Sequence, residues 1–156
     1  MVRLKYRWQF INWLSVKATN LSNLLLQERT WQYTMDDCSK MKTNSLGHSL
    51  FKYLSENNFT FQPNLIRHDM KHILLNYEMK IEDELRLHAF LIGNKSYNLM
   101  GIIYLLSCLL IVPEMIIKLK KDYNKGKTAT ILKHVQLQDY ATYDLTVLRQ
   151  KLKITL

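Results

Sequence analysis

"IRHDMKHILLNYEMKIEDELRLHAFLIGN", residues 66–94, decides the fold. Ile66, Met70, Ile73 and Leu74 recur at three- and four-residue spacing before a polar interruption, and Ile81, Leu85, Ala89 and Ile92 recur in the same way after it. That period is helical. The interruption, "NYEMK" at 76–80, divides the stretch into two helices. Pro63 suits the first position of the first helix. Glu82, Asp83 and Glu84 place three acids in the first turn of the second, where the helix dipole favours them. Gly93-Asn94 is a stop signal. The reading is an antiparallel helix pair over residues 63–93, broken near Asn76 to Lys80.

Working outward, "LGHSLFKYLSENN" at 46–58 reads as a short helix stopped by Asn57 and Asn58. Residues 28–44 read as polar and loop-rich. Residues 1–27 are acid-free and basic, with Leu4, Trp8, Ile11, Ala18, Leu21 and Leu25 at helical spacing, and predict a basic amphipathic first helix. An apolar helix is expected from about Tyr97 to Asp122, bent at Pro113. "YNKGK" at 123–127 reads as a loop, and "DYATYDLTVLRQKLKI" at 139–154 as the closing helix. No stretch sustains strand alternation, and four Gly and two Pro in 156 residues leave few breakers. The expected fold is all-α, a single helical domain over residues 1–156. A chain of this size buries roughly 70% of its unfolded surface, and 47% hydrophobic residues argue against disorder.

The net charge of +9 is uneven. Six Arg against sixteen Lys, with no zinc-finger spacing and no aromatic RNA-binding motif, speak against a nucleic-acid partner. Basic residues instead flank apolar segments: Arg3, Lys5, Arg7 and Lys17 in the first helix, and Lys118, Lys120, Lys121, Lys125 and Lys127 after the most apolar run. This pattern suits either an anionic membrane surface, bound peripherally, or two solvated faces. The run from Leu99 to Val112 is too short to span a bilayer before Pro113 and Glu114 interrupt it. Residues 99–117 read as core, as a prenyl-sized groove or as a homodimer interface. Trp8, Ile11, Leu105 and Leu109 are the lipid-contact candidates. Cys38 and Cys108, without a secretory signal, imply a reducing compartment and a protein that is not secreted. In its apolar run Cys108 reads as a small core hydrophobe.

The chemistry concentrates in the opening stretch. On a helix, residues four apart share a face, so His68 and His72 can grip one ion. Asp69 lies about 100° round the helix, as ligand or orienter. His72 is four before Asn76 and Glu84 four after Lys80, so a hairpin brings them opposite each other. His88, four beyond Glu84, is placed to hydrogen-bond it as an outer partner. Spacing alone leaves two readings open, a divalent metal site or the solvated faces of two helices. It does not choose between zinc and iron. A metal-dependent phosphohydrolase built on His48, His68, Asp69 and Asp139 or Asp144 is a rival. A zinc hydrolase using His68, His72 and Glu84 is another, but it requires Glu where Asp69 stands.

The string His68-Asp69-x-x-His72-x11-Glu84 resembles the signature of the coenzyme Q (ubiquinone) biosynthesis protein 4 family. "LGHSLFKYLSENNF", "DELRLHAFLIGN" and "YDLTVLRQKLKI" resemble its flanking segments, so the likeness covers about residues 44–156. The resemblance implies a helical protein docked on the cytoplasmic face of a bacterial membrane or the matrix side of the mitochondrial inner membrane. It implies a divalent metal, zinc before iron, on His68, Asp69, His72 and Glu84. It also implies a prenylated aromatic precursor of ubiquinone, whose ring carboxylate is replaced by hydroxyl, and contact with other quinone-biosynthesis proteins. A non-catalytic, membrane-docked scaffold or prenyl-lipid binder is the alternative.

Overall fold

The turn at residues 76–80 is set by Asn76, whose left-handed backbone (φ 56°) ends one helix. The next begins at Ile81. In this computed structural model, which describes residues 6–13 and 31–156, all regular elements are helical. A helical segment over 6–13 (α1) is followed by Met35–Lys40 (α2), Leu46–Glu56 (α3), Ile66–Leu75 (α4), Ile81–Gly93 (α5), Leu99–Ile111 (α6), Ile116–Thr128 (α7) and Leu145–Lys151 (α8). Among the described residues there is no strand, only an isolated bridge between Ser45 and Asp144. The rest of the expected first helix lies outside the described residues.

Local chemistry explains the helix starts. The Thr34 hydroxyl accepts from Asp37 N–H while the Asp37 carboxylate accepts from Thr34 N–H, a reciprocal capping box that starts α2 inside the stretch expected to be loop. Asn98 caps α6 by accepting from Gly101 N–H at 2.6 Å. Asp144 caps α8 by accepting from Thr146 and Val147 N–H. The closing helix is therefore shorter than expected, and a 3-10 turn at Leu137–Tyr140 precedes it.

Two apolar cores share α5. Leu87, Phe90 and Leu91 face a core with Leu50, Ile66, Met70, Leu132 and Leu148. Leu85 and Ala89 face a second core with Ile11, Tyr104, Leu105, Cys108 and Leu119. α5 crosses α7 backbone to backbone. A Cβ on Gly93 would stand 2.0 Å from the Tyr123 carbonyl oxygen, and one on Gly126 would stand 2.1 Å from that of Phe90. This crossing corrects the reading of "YNKGK" as a loop: α7 runs through it to Thr128, because Gly126 serves a close contact rather than a turn.

The bend at Pro113 is as expected, and sharp. α6 and the segment Pro113–Thr128 diverge by 111°. Met115 N–H bonds to Val112, leaving the Ile111 carbonyl to accept from the Arg7 guanidinium of α1. Arg7 also pairs with Glu114 at 2.9 Å, which ties α1 to the bend. From α8, Arg149 donates to the carbonyls of Ile73 and Leu74, each at 2.9 Å, and so holds the C-terminal end of α4.

Candidate metal site

α4 carries His68 and His72 on one face, and the turn returns α5 so that Glu84 meets them. His72 Nε2 lies 3.1 Å from His68 Nε2 and 3.0 Å from Glu84 Oε2, and His68 Nε2 lies 3.3 Å from the same oxygen. These three residues form the one group of donors, among the described residues, able to converge on a metal ion. Their spacing fits one. With bonds of about 2.0–2.2 Å, ligand atoms stand about 2.8–3.6 Å apart for angles between a right angle and tetrahedral. The His72 side chain is 1% exposed, that of Glu84 21% and that of His68 36%. The group is therefore closed on the His72 side and open beside His68.

The tautomer of His72 follows from its surroundings. Its Nδ1 lies 3.1 Å from the Glu78 carbonyl oxygen, which can only accept, so Nδ1 carries the proton and the Nε2 lone pair faces His68 and Glu84. The turn that supplies this carbonyl is itself held. Glu78 N–H donates to Asp83 at 2.9 Å, and Met79 N–H to the Tyr53 hydroxyl at 2.8 Å. Arg86 joins Asp83 to the buried Asp122, at 2.7 and 2.8 Å, and Tyr77 donates its hydroxyl proton to Asp122 at 2.7 Å. A pocket of about 220 Å³ beside this turn is lined by His72, Tyr53 and Asp83 but by neither His68 nor Glu84.

The electrostatics suit a positive charge at the group, carried by a proton on His68 that a metal would displace. Burial opposes the charge on Glu84, but His68, by charge and hydrogen bond, and then the hydrogen bond of His88 hold its carboxyl well below the ordinary range. Burial likewise opposes charge on His68, and the Glu84 carboxylate outweighs it, raising the imidazole above its ordinary value. The ionised carboxylate is the form that binds a metal.

Asp69 is not among the three donors that converge. It is buried beside the pair, and its charge bears on His68 without placing an oxygen among the three converging donors. His88 Nε2 lies 3.1 Å from the other Glu84 oxygen, Oε1, in the geometry of an outer partner. The phosphohydrolase set does not assemble. His48 Nδ1 faces the Ser39 carbonyl, and Asp144 is spent on the α8 cap. Of the lipid-contact candidates, Ile11 and Leu105 are corrected to core positions, and Trp8 and Leu109 are half-buried. The apolar side chains that α6 exposes are Leu99, Met100, Ile103, Leu106 and Leu110. Reasoning from sequence alone missed Glu78, Asp122 and Gly101, whose parts come from tertiary contact and leave no periodic signal.

No protein-family model matches this chain, and no curated protein matches it. Among solved structures, a provisionally named ubiquinone biosynthesis protein of Nostoc punctiforme is similar over 97% of this chain and 79% of its own, with a TM-score of 0.65 and 14% identity. At that identity the likeness is one of fold: the chain shares the helical architecture of the Nostoc protein.

Proposed function

We propose that this chain is a metal-dependent protein of ubiquinone-biosynthesis type, acting at a membrane surface on a prenylated aromatic precursor. The observation that carries the proposal is the convergence of His68, His72 and Glu84 at metal-ligand spacing, in a fold shared with the Nostoc protein. His68 and His72 would supply neutral nitrogens and Glu84 an ionised oxygen, a mixed set suited to zinc or iron. Such an ion, when bound, supplies a Lewis acid for a ring carboxylate or hydroxyl. The chain's own residues do the rest. His72 closes the inner side, the Glu78 carbonyl fixes its tautomer, and the exposure of His68 leaves an approach for substrate. Three protein ligands with an open side are the pattern of a catalytic site, whereas a metal that only staples helices is usually enclosed by four.

The expected result is about one equivalent of zinc or iron in purified protein, falling to background in His72→Ala and Glu84→Ala variants that keep their helical circular dichroism. Mass spectrometry of co-purified lipid should find a prenylated phenol or benzoate. Wild-type protein that takes up neither metal after chelation and reloading would refute the proposal.

A further inference from the structure

We infer that His88 is the positioning residue for Glu84, and that Gly101 is the notch in α6 that keeps His88 in place. The inference rests on the reading of His68, His72 and Glu84 as metal ligands, and it adds what holds the carboxylate to one orientation. The two oxygens of Glu84 are divided. Oε2 faces His72 and His68 at 3.0 and 3.3 Å, and Oε1 faces His88 Nε2 at 3.1 Å. A carboxylate only accepts, so His88 Nε2 donates. With Oε1 held in this way, Glu84 offers a single oxygen toward the histidine pair.

His88 is itself held from α6. The Tyr104 ring packs at 5.3 Å between centroids. A Cβ built on Gly101 would stand 2.7 Å from His88 Nδ1 and 3.0 Å from Cε1, so the imidazole occupies the space that a side chain at 101 would need. The Asn98 side chain, which caps α6 through Gly101 N–H at 2.6 Å, closes the same corner, with Oδ1 3.1 Å from that Cβ position. Pushing the ring out of this notch takes Nε2 away from Glu84. His88 is not one of the three converging donors, which assigns it to the carboxylate rather than to the ion.

The test uses cobalt(II) and the full chain, reading affinity by chelator competition and geometry by the cobalt absorption spectrum. His88→Ala is expected to weaken binding about 10–100-fold, as loss of an outer partner does, and to alter the spectrum, because a freed carboxylate can bind through both oxygens. His88→Gln, whose amide N–H can stand where Nε2 stood, should restore most of the affinity and the spectrum. Gly101→Ala should copy His88→Ala in the wild-type background and add nothing to it in the His88→Ala background, the non-additivity of a shared mechanism. Unchanged affinity and spectrum in His88→Ala would overturn the inference and leave the metal site standing. So would additive losses from the two substitutions, or a failed rescue by Gln in a folded chain. If His88→Ala does not fold, His88→Gln and Gly101→Ala decide by the same two readouts. Wild-type protein that binds no cobalt would overturn the metal reading itself, and this inference with it.

Discussion

His72 and Asp69, three residues apart on one helix, stand differently to Glu84. The first, four residues after His68, comes back to the same face and reaches Glu84 at 3.0 Å. The second, one residue after His68, stays outside the converging group. The meeting of His68, His72 and Glu84 was legible because i, i+4 spacing and a polar break define geometry before any tertiary contact. That Asp69 stays outside it was not, since a short motif fixes neighbours in sequence but not whose donor atoms converge. Cys108 was legible as a core residue from its apolar run, whereas Cys38, in a polar stretch, was not; both are buried and yield a pH expectation. Burial pushes the thiols of Cys38 and Cys108 up to about 11 from an ordinary 9.0. A folded-state value above the unfolded one means that the stabilisation is whole below pH 9.0 and is lost as pH rises toward 11. Native protein at pH 8 should resist a thiol-exchange reagent and react at both cysteines in denaturant. The urea midpoint should fall between pH 9 and 11, and less steeply in a Cys38→Ala/Cys108→Ala chain. Prompt labelling of the native chain at pH 8 would show the thiols to be accessible after all.

Between elements, the crossing of α5 and α7 is what periodicity could not reveal. Gly-Lys clusters are common in loops, so "YNKGK" reads as a break from local rules alone. Only the partner helix explains Gly126, which brings α7 against the Phe90 carbonyl. The same crossing sets Asp122 where Arg86 and Tyr77 can reach it, and through Asp83 it supports the turn under His72. Gly126→Ala is therefore expected to destabilise the protein, although Ala favours a helix over Gly by about 1 kcal/mol. A Cβ 2.1 Å from a backbone oxygen forces the helices apart, and overpacking of this kind costs about 1–3 kcal/mol. Urea unfolding would measure it. A gain in stability would mean that α7 sits further from α5 than the structure places it.

Across the whole molecule, the apolar face of α6 is the feature whose direction the chain conceals. In "LMGIIYLLSCLLI" almost every position is apolar, so the pattern carries no phase. Sequence alone points to Leu105 and Leu109, whereas the surface belongs to Leu106 and Leu110. Among the described residues no single helix is long and apolar enough to cross a membrane, and α6 and α7 pass that test only as a pair bent by 111°. The face lies along the outside of α6, and Ile116 and Ile117 beyond the bend are exposed as well. Lys118, which pairs with Glu82, and Lys120 and Lys121 follow within the next turn and are exposed. Apolar side chains that enter a lipid surface contribute about 1.5–3 kcal/mol each, and nearby lysines add about 1 kcal/mol each on an anionic surface. Leu110 is 87% exposed, so charging it should spare the core. A Leu106→Lys/Leu110→Lys chain is expected to bind vesicles of anionic phospholipid at least about tenfold more weakly in co-sedimentation, with metal content and thermal stability unchanged. Wild-type binding should also decline as salt rises. Equal vesicle binding by both chains would remove the membrane role from this face, and a dimer lost in the variant would assign the face to a second copy of the chain.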